Sequence, residues 1–153
     1  MIATVFVDSD VLIYRRDRAD EKKNDKATEW LEFLWRTQFG RLSTQVLEEF
    51  YITATQRLDP KVPKETARQD VRDLMSWKPV AWDAKLIADA WSAQDRYKTS
   101  WWDSLIVAAA QSAGCRILLT ADLPDGQAFD SLEVVNPFIH KPSSIFGTPA
   151  DRN

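Results

Sequence analysis

The chain has 153 residues, of which 44% are hydrophobic and 28% are charged, and its formal net charge is −3. A chain of this length and composition is expected to form one globular domain with a stable apolar core. The acidic balance argues against a strongly basic nucleic-acid-binding face, so any such contact must come from a local patch. No apolar run approaches the length of about 18 residues that a membrane span needs, so no membrane association is expected.

Cysteine, histidine and glycine are scarce, with one, one and four residues respectively. The single cysteine, Cys115, cannot form an internal disulfide, which favours a reducing, cytoplasmic compartment. One cysteine and one histidine cannot form a structural zinc site. The four glycines are isolated from one another, which excludes glycine-rich loops that bind dinucleotides or phosphates.

Hydrophobic periodicity divides the chain into alternating strands and helices. Short runs rich in apolar and β-branched residues predict strands at 2–7, 41–44, 79–82, 115–120 and 132–135. Apolar residues at helical spacing predict helices at 24–38, 45–57, 64–76, 83–97 and 102–113. The stretch 121–127 is expected to be a loop.

Strands that alternate with helices predict parallel strands joined by crossover helices. The expected fold class is therefore α/β, as a single three-layer α/β/α domain with a central, mainly parallel sheet of about four to five strands. The domain is expected to span residues 1–140. Residues 141–153 are polar and are expected to form a loosely ordered C-terminal tail.

Four acidic residues are predicted to meet at one edge of this sheet: Asp8, Glu49, Asp103 and Asp122. Asp8 and Asp122 each follow a strand, and the carboxyl ends of parallel strands form the edge at which α/β proteins bind ligands. Glu49 and Asp103 fall in the first turns of predicted helices that begin near the same edge. The topology therefore predicts a cluster of carboxylates from four distant parts of the chain.

Clustered carboxylates repel one another unless a cation is bound between them. Mg²⁺ and Mn²⁺ take oxygen ligands, and such a site is typical of phosphodiester hydrolysis by a metal-activated water. Each residue also has a purely structural interpretation. Asp8 could serve as a helix cap, Asp103 could stabilise a helix dipole, Asp122 could be a turn residue and Glu49 a solvated helix charge.

Five segments of the chain carry a recognisable pattern, namely 7–14 (VDSDVLIY), 45–51 (QVLEEFY), 102–110 (WDSLIVAAA), 119–127 (LTADLPDGQ) and 134–138 (VVNPF). In this order they resemble the motifs of the PIN-domain nucleases, and most closely those of the VapC-type toxins of bacterial toxin–antitoxin pairs. The resemblance runs from about residue 2 to residue 138. Any one of the motifs is weak evidence, whereas five in order indicate the family.

The resemblance implies an endoribonuclease that depends on Mg²⁺ or Mn²⁺, with Asp8, Glu49, Asp103 and Asp122 as catalytic residues. Asp8, Asp103 and Asp122 are the expected metal ligands. The resemblance also implies a homodimer with RNA as substrate, inhibited by a cognate antitoxin protein. DNA would then be contacted only indirectly, through the antitoxin.

The chain departs from the family pattern at several positions in these motifs. Ser9 and Asp10 stand where Thr and Asn are usual, so Asp10 could add a ligand or accept a hydrogen bond behind the ligands. Ala121 replaces a usual Glu, and Asp125 could partly compensate for the lost carboxylate. Ser9, Asp10, Thr120 and Asp125 are therefore candidates for supporting or substrate-positioning roles.

Two other functions are compatible with the sequence. The segment 6–10 (FVDSD) also resembles the D-x-D motif of haloacid-dehalogenase-type phosphatases, in which Asp8 would be the phosphorylated nucleophile. The downstream lysine and acidic pair of that family cannot be placed convincingly. The other alternative is a catalytically inactive PIN-like binding module, against which the presence of all four carboxylates argues.

Two surface features remain open. A run of basic residues between 15 and 26 could contact RNA or an antitoxin, although its interleaved acidic residues favour an ordinary solvated face. Trp101 and Trp102 lie beside Asp103 and could stack on unpaired bases, or they could belong to a dimer or antitoxin interface.

Overall fold

The computed structural model describes residues 3–148, which contain five strands and seven α-helices. The strands are β1 Val5–Val7, β2 Gly40–Arg41, β3 Ile117–Leu119, β4 Ala128–Phe129 and β5 Leu132–Val135. The α-helices are α1 Ser9–Arg16, α2 Glu21–Thr37, α3 Thr44–Gln56, α4 Lys64–Leu74, α5 Ala84–Tyr97, α6 Trp101–Ser112 and α7 Pro142–Phe146, and a short 3₁₀ helix spans Met75–Trp77.

The strands form one sheet in the order β2-β1-β3-β5-β4. Strands β2, β1, β3 and β5 pair in parallel. Strand β4 lies at the edge of the sheet and pairs antiparallel with β5. The predicted α/β class with a mainly parallel sheet is therefore confirmed. All residues of β1 and β3 are buried, as expected for central strands that are covered on both faces.

The order of the strands determines which helices cover which face of the sheet. The chain moves from β1 to β2 in one direction along the sheet and from β2 to β3 in the opposite direction. Because such crossovers are right-handed, α2 before β2 and α6 before β3 lie on opposite faces. This is the three-layer arrangement that the sequence predicts.

Side-chain caps fix where several helices begin. The hydroxyl of Ser43 accepts a hydrogen bond from the N–H of Val46 at the start of α3. Ser100 caps α6 in the same way, and the carboxylate of Asp83 caps α5 with a 2.8 Å hydrogen bond. Since Ser and Asp are among the best N-cap residues, these starts are local properties of the sequence. The starts of α3 and α6 are important for the site, because Glu49 and Asp103 lie in their early turns.

The structure differs from the predicted elements in several places. Helix α1 forms directly after Asp8, where no helix was predicted, because Asp8 itself caps it. The predicted strand at 79–82 is reduced to a single bridge between Ser43 and Val80, since Pro79 has no N–H to donate. The hairpin strand β4 was not predicted, because two residues carry no periodicity. Ile2, with which the first predicted strand begins, lies outside the described residues.

The segment predicted as a C-terminal tail begins with helix α7, which carries Pro142 in its first turn. Phe146 packs on Phe33 and Phe39, with ring centroids 5.1 and 5.7 Å apart. The packed part of the chain thus extends at least to Phe146, and residues 149–153 lie outside the described range. None of the helices between residues 3 and 148 has both the length and the apolar character needed to cross a lipid bilayer.

Candidate active site

The pairing of β1 with β3 brings Asp8 next to Thr120. Val7 is in register with Leu119, and the backbone N–H of Asp8 donates to the carbonyl oxygen of Leu119. The residue after each strand therefore lies at the carboxyl edge of the sheet. There the hydroxyl of Thr120 donates a 2.9 Å hydrogen bond to Oδ2 of Asp8. The other oxygen of Asp8 accepts the N–H of Ser9 at 2.7 Å, which makes Asp8 the N-cap of α1.

Asp10 is the second carboxylate at this edge, placed there by the first turn of α1. Its Oδ2 accepts the backbone N–H of Ala121 at 2.8 Å and lies 3.4 Å from the hydroxyl of Thr120. Its Oδ1 is buried and has no hydrogen-bond partner within the described residues. A buried carboxylate oxygen without a donor is costly, and a bound cation would remove that cost.

Asp122 completes a compact group of carboxylates. One oxygen from each of Asp8, Asp10 and Asp122 lies within 4.8 Å of the other two. Asp122 is held over the group by its backbone, whose N–H donates to the hydroxyl of Thr120 at 3.0 Å. Three carboxylate oxygens at this spacing are a donor set that suits Mg²⁺ or Mn²⁺. We refer to Asp8, Asp10 and Asp122 below as the carboxylate trio.

Burial and mutual repulsion disfavour the charged forms of the trio. Burial is the main cause of the raised pKa of Asp8, and the charge of Asp10 adds to it. Burial also raises the pKa of Asp10, although the N–H of Ala121 opposes this. The pKa of Asp122 is raised by burial first and then by the charges of Asp103 and Glu49. Among the described residues, the charges that shift these three pKa values come from other carboxylates, so holding all three in their charged forms is unfavourable unless a cation binds.

Glu49 and Asp103 both reach this region from neighbouring helices, since their charges act on Asp122. Glu49 is held from two sides, because Oε2 accepts the hydroxyl of Ser9 at 2.8 Å and Oε1 accepts the amide of Gln45 at 2.9 Å. Asp103 lies in the first turn of α6. All four predicted catalytic carboxylates thus come from the same edge of the sheet.

The compact trio differs in one member from the predicted ligand set of Asp8, Asp103 and Asp122. Within the described residues, the structure brings Asp10 into the trio, and Asp103 is not part of it. Sequence reasoning also overlooked Gln45, which is buried and supports Glu49. Its position four residues before Glu49, on the same face of α3, is the signal that could have identified it.

Asp125 is not part of the compact trio, and its carboxylate has other partners. Its carboxylate accepts the N–H of Asn136 at 2.9 Å and lies 2.8 Å from Nε2 of His140. These two contacts lower its pKa, with that of Asn136 as the larger cause. The carboxylate of Asp125 is therefore bound to residues near the C-terminus. It does not take the place of the carboxylate that is lost at Ala121.

Several of the basic residues between 15 and 26 have partners within the protein. Arg16 makes a two-pronged hydrogen-bonded ion pair with buried Asp70 on α4, and Arg15 lies 3.7 Å from the same carboxylate. Lys23 lies over the ring of Tyr14, and Lys26 donates to a backbone carbonyl. These cations therefore stabilise contacts between elements of the fold.

Comparison with solved structures finds several proteins with the same fold, including the following three. VapC20 of Mycobacterium tuberculosis, a toxin described as cleaving the sarcin–ricin loop, is 19% identical, with a TM-score of 0.57 over 75% of this chain and 87% of that one. A toxin–antitoxin complex from Klebsiella pneumoniae is 17% identical, with a TM-score of 0.63 over 88% and 98%. FitAB bound to an IR36 DNA fragment is 19% identical, with a TM-score of 0.65 over 88% and 96%.

Comparison with curated protein sequences finds no match. A family model described as the PIN domain, however, matches residues 5–123. The matched range includes most of the chain, the central strands β1 and β3, and all four predicted catalytic carboxylates. The chain therefore belongs to the PIN domain family.

Proposed function

We propose that this protein is a metal-dependent endoribonuclease and the toxin of a toxin–antitoxin pair. The observation that carries the proposal is the carboxylate trio, whose oxygens lie within 4.8 Å of one another at the carboxyl edge of the sheet. Family membership supports the same reading. The proposal includes a cytoplasmic location and a homodimer, as expected from the sequence.

The trio would hold a Mg²⁺ or Mn²⁺ ion, with Asp103 as a further candidate ligand. A divalent cation in such a site supplies an activated water and stabilises the negative charge that develops on a phosphodiester. Oδ1 of Asp10, which has no hydrogen-bond partner among residues 3–148, and the raised pKa values of the trio fit a cation at this position. The protein's own contribution is to fix these oxygens in place through Thr120 and the N–H groups of Ser9 and Ala121.

Glu49 has a separate role in the proposal. The hydroxyl of Ser9 and the amide of Gln45 each occupy one of its oxygens, which fixes the orientation of the carboxylate. Each oxygen keeps a further lone pair that can accept a proton or orient a water. We therefore assign Glu49 to orienting the attacking water, and Ser9 and Gln45 to positioning Glu49.

The toxin role and the antitoxin partner are supported by the solved structures that share the fold. One of them is a toxin described as cleaving the sarcin–ricin loop, one is a toxin–antitoxin complex and one is bound to DNA. In our proposal the antitoxin binds this protein and carries the DNA contact. RNA is the proposed substrate. Sequencing the RNA ends that cleavage produces would identify the cleaved sequence.

The phosphatase alternative is less well supported than the nuclease. The PIN domain family model matches residues 5–123, which include the segment 6–10 on which the phosphatase resemblance rests. The inactive binding module is distinguished by the cleavage experiment below.

The experiment measures cleavage of total RNA by the purified protein with Mg²⁺, with Mn²⁺ and with EDTA. We expect cleavage that EDTA stops and that Asp8→Asn abolishes while thermal stability is retained. Asp89→Asn is the matched control, because Asp89 lies on α5 in an exposed ion pair with Lys85 and should leave cleavage unchanged. Cleavage that persists in folded Asp8→Asn would contradict the assignment, and no cleavage by the unaltered protein would favour the binding module.

A further inference from the structure

Two exposed tryptophan rings face each other beside the carboxylate edge. Trp82 precedes the cap of α5, and Trp102 lies in the first turn of α6, directly before Asp103. Their ring centroids are 6.4 Å apart and the ring planes are tilted by 46°. The rings are 44% and 57% exposed, so large apolar surfaces remain in water. Single apolar side chains are common on protein surfaces. A contiguous exposed aromatic surface is less common and indicates a binding site.

The two rings line an open groove that is continuous with the candidate active site. The groove has a volume of about 550 Å³, which is within the usual range for sites that bind small molecules. Its lining includes Glu48, Glu49, Ile52, Arg57, Trp82 and Trp102. Glu49 belongs to both the groove and the catalytic carboxylates. A strand of nucleic acid whose phosphate lies at the trio therefore has this groove as an adjoining surface.

A cation lies at the far end of the same groove. Glu49, Thr53 and Arg57 follow one another at intervals of four residues, so they share one face of α3 and its C-cap. Eight residues of helix separate Glu49 from Arg57 by about 12 Å. The guanidinium of Arg57 makes no hydrogen bond or ion pair within the described part of the chain, and Arg57 is exposed. It is therefore available to a phosphate that lies away from the carboxylates.

From this placement we propose that Trp82 and Trp102 bind an unpaired base of the RNA next to the scissile phosphate, with Arg57 contacting the neighbouring backbone. The inference rests on the proposed ribonuclease function and names a substrate-positioning surface for it. Stacking on aromatic rings is a common way to hold unpaired bases, and it places little constraint on which base is bound. The surface would accordingly favour single-stranded over double-stranded RNA.

The test measures the affinity of a labelled single-stranded oligoribonucleotide by fluorescence anisotropy, with the protein in EDTA so that no cleavage occurs. Replacing both rings, in Trp82→Ala/Trp102→Ala, should weaken binding by about 5- to 150-fold. Trp102→Phe should retain most of the affinity, since it keeps an aromatic face. Trp91→Ala is the matched control, because Trp91 is 58% exposed on α5 and does not line the groove.

Two further readouts separate base stacking from a loss of structure. In Mg²⁺, the double variant should show a raised KM for cleavage of a single-stranded RNA, with kcat nearly unchanged. An oligoribonucleotide that lacks bases at the bound positions should bind the unaltered protein more weakly than the intact oligoribonucleotide does. The double variant should bind the two oligoribonucleotides with equal affinity. Arg57→Gln should reduce the slope of log affinity against log salt concentration by about one, as expected when one phosphate contact is lost.

The inference is overturned if the double variant binds RNA as tightly as the unaltered protein, or if Trp91→Ala weakens binding to the same degree. It is also overturned if the double variant changes the oligomeric state in light scattering but binds RNA normally, because the rings would then contact a second copy of the chain. The proposed function fails separately. In that case the unaltered protein does not cleave RNA in Mg²⁺, or Asp8→Asn still does.

Discussion

The hydroxyl of Thr120 donates a hydrogen bond to Asp8 and at the same time accepts one from the backbone N–H of Asp122. One side chain thus links two members of the carboxylate trio that are more than a hundred residues apart in sequence. Thr120 is fully buried, so this link is shielded from water. The hydrogen bond to Asp8 favours its charged form, which is the form that binds a metal.

Replacing Thr120 by valine keeps the shape of the side chain but removes the hydroxyl. Asp8 then loses a donor and Asp122 loses an acceptor for its N–H, so we expect divalent metal affinity to fall by about 10- to 100-fold. Isothermal titration with Mn²⁺ measures this change directly. Thr120→Ser keeps the hydroxyl and should bind Mn²⁺ within a few-fold of the unaltered protein. Equal loss in both variants would show that packing of the methyl group, and not the hydrogen bond, supports the site.

Stability of the metal-free protein should fall as the pH rises through the neutral range. Asp8 and Asp10 have raised pKa values in the folded protein because burial disfavours their charged forms, whereas the unfolded chain releases these protons near the ordinary value of 3.8. Between those values the folded state binds more protons than the unfolded state, so raising the pH favours unfolding. Urea unfolding in EDTA should give a free energy of unfolding lower by at least about 1 kcal/mol at neutral pH than at mildly acidic pH.

The Asp10→Asn variant should show a weaker fall over the same pH range, since one of the two buried titrating groups is gone. Mg²⁺ should restore stability at neutral pH in the unaltered protein and less so in the variant. A free energy of unfolding that rises toward neutral pH in EDTA, or an equal slope in both proteins, would contradict the raised pKa values.

The hydrogen bonds to Glu49 predict a kinetic effect of Ser9. Ser9→Ala removes the donor to Oε2, so the orientation of Glu49 depends on Gln45 alone. We expect kcat for RNA cleavage to fall by about 10- to 100-fold, by analogy with other residues that orient metal-site groups. Binding of Mn²⁺ should change little, because Glu49 is not part of the trio. An unchanged kcat would remove Ser9 from the positioning of Glu49.

The ion pair between Arg16 and Asp70 predicts a change in stability that leaves the chemistry intact. Asp70 is buried, and its two oxygens accept both prongs of the guanidinium at 2.7 and 2.8 Å. Because Asp70→Ala leaves Arg16 without its partner in a partly buried position, we expect unfolding to become easier by about 2–3 kcal/mol. Thermal unfolding measures the loss, and cleavage well below the melting temperature should be nearly unchanged.

The matched control for this prediction is the exposed pair of Lys85 and Asp89 on α5. Lys85→Ala removes an ion pair that solvent already screens, so the melting temperature should scarcely change. A loss of stability as large as that of Asp70→Ala would mean that burial does not distinguish the two pairs.

The edge of the sheet at which the site lies could be predicted from sequence, because it depends on a pattern that the sequence carries. Asp8 and Asp122 follow apolar strands, and parallel strands end on one side. The exact membership of the trio could not be predicted in the same way. Asp10 enters it because α1 begins at Ser9, with Asp8 as the cap, and the side chain at the second helical position then faces Ala121.

Other parts of the site depend on contacts that no local pattern contains. Asp125 lies close in sequence to Asp122, but its partners are Asn136 and His140, which lie beyond the β4–β5 hairpin in the chain. The support of Glu49 by Ser9 joins residues 40 positions apart. Such side-chain partners are set by tertiary packing, which explains why strand ends were predicted more reliably than hydrogen-bond partners.

The proposed nuclease activity depends on a divalent cation held by the carboxylate trio. Anomalous diffraction from crystals of the protein soaked in Mn²⁺ tests it most directly, because the ion is located without reference to activity. We expect an anomalous peak within bonding distance of oxygens of Asp8, Asp10 and Asp122, and we expect it to be lost in Asp8→Asn. Strong Mn²⁺ peaks elsewhere, with none at the trio, in crystals of protein that cleaves RNA with Mn²⁺ would contradict it.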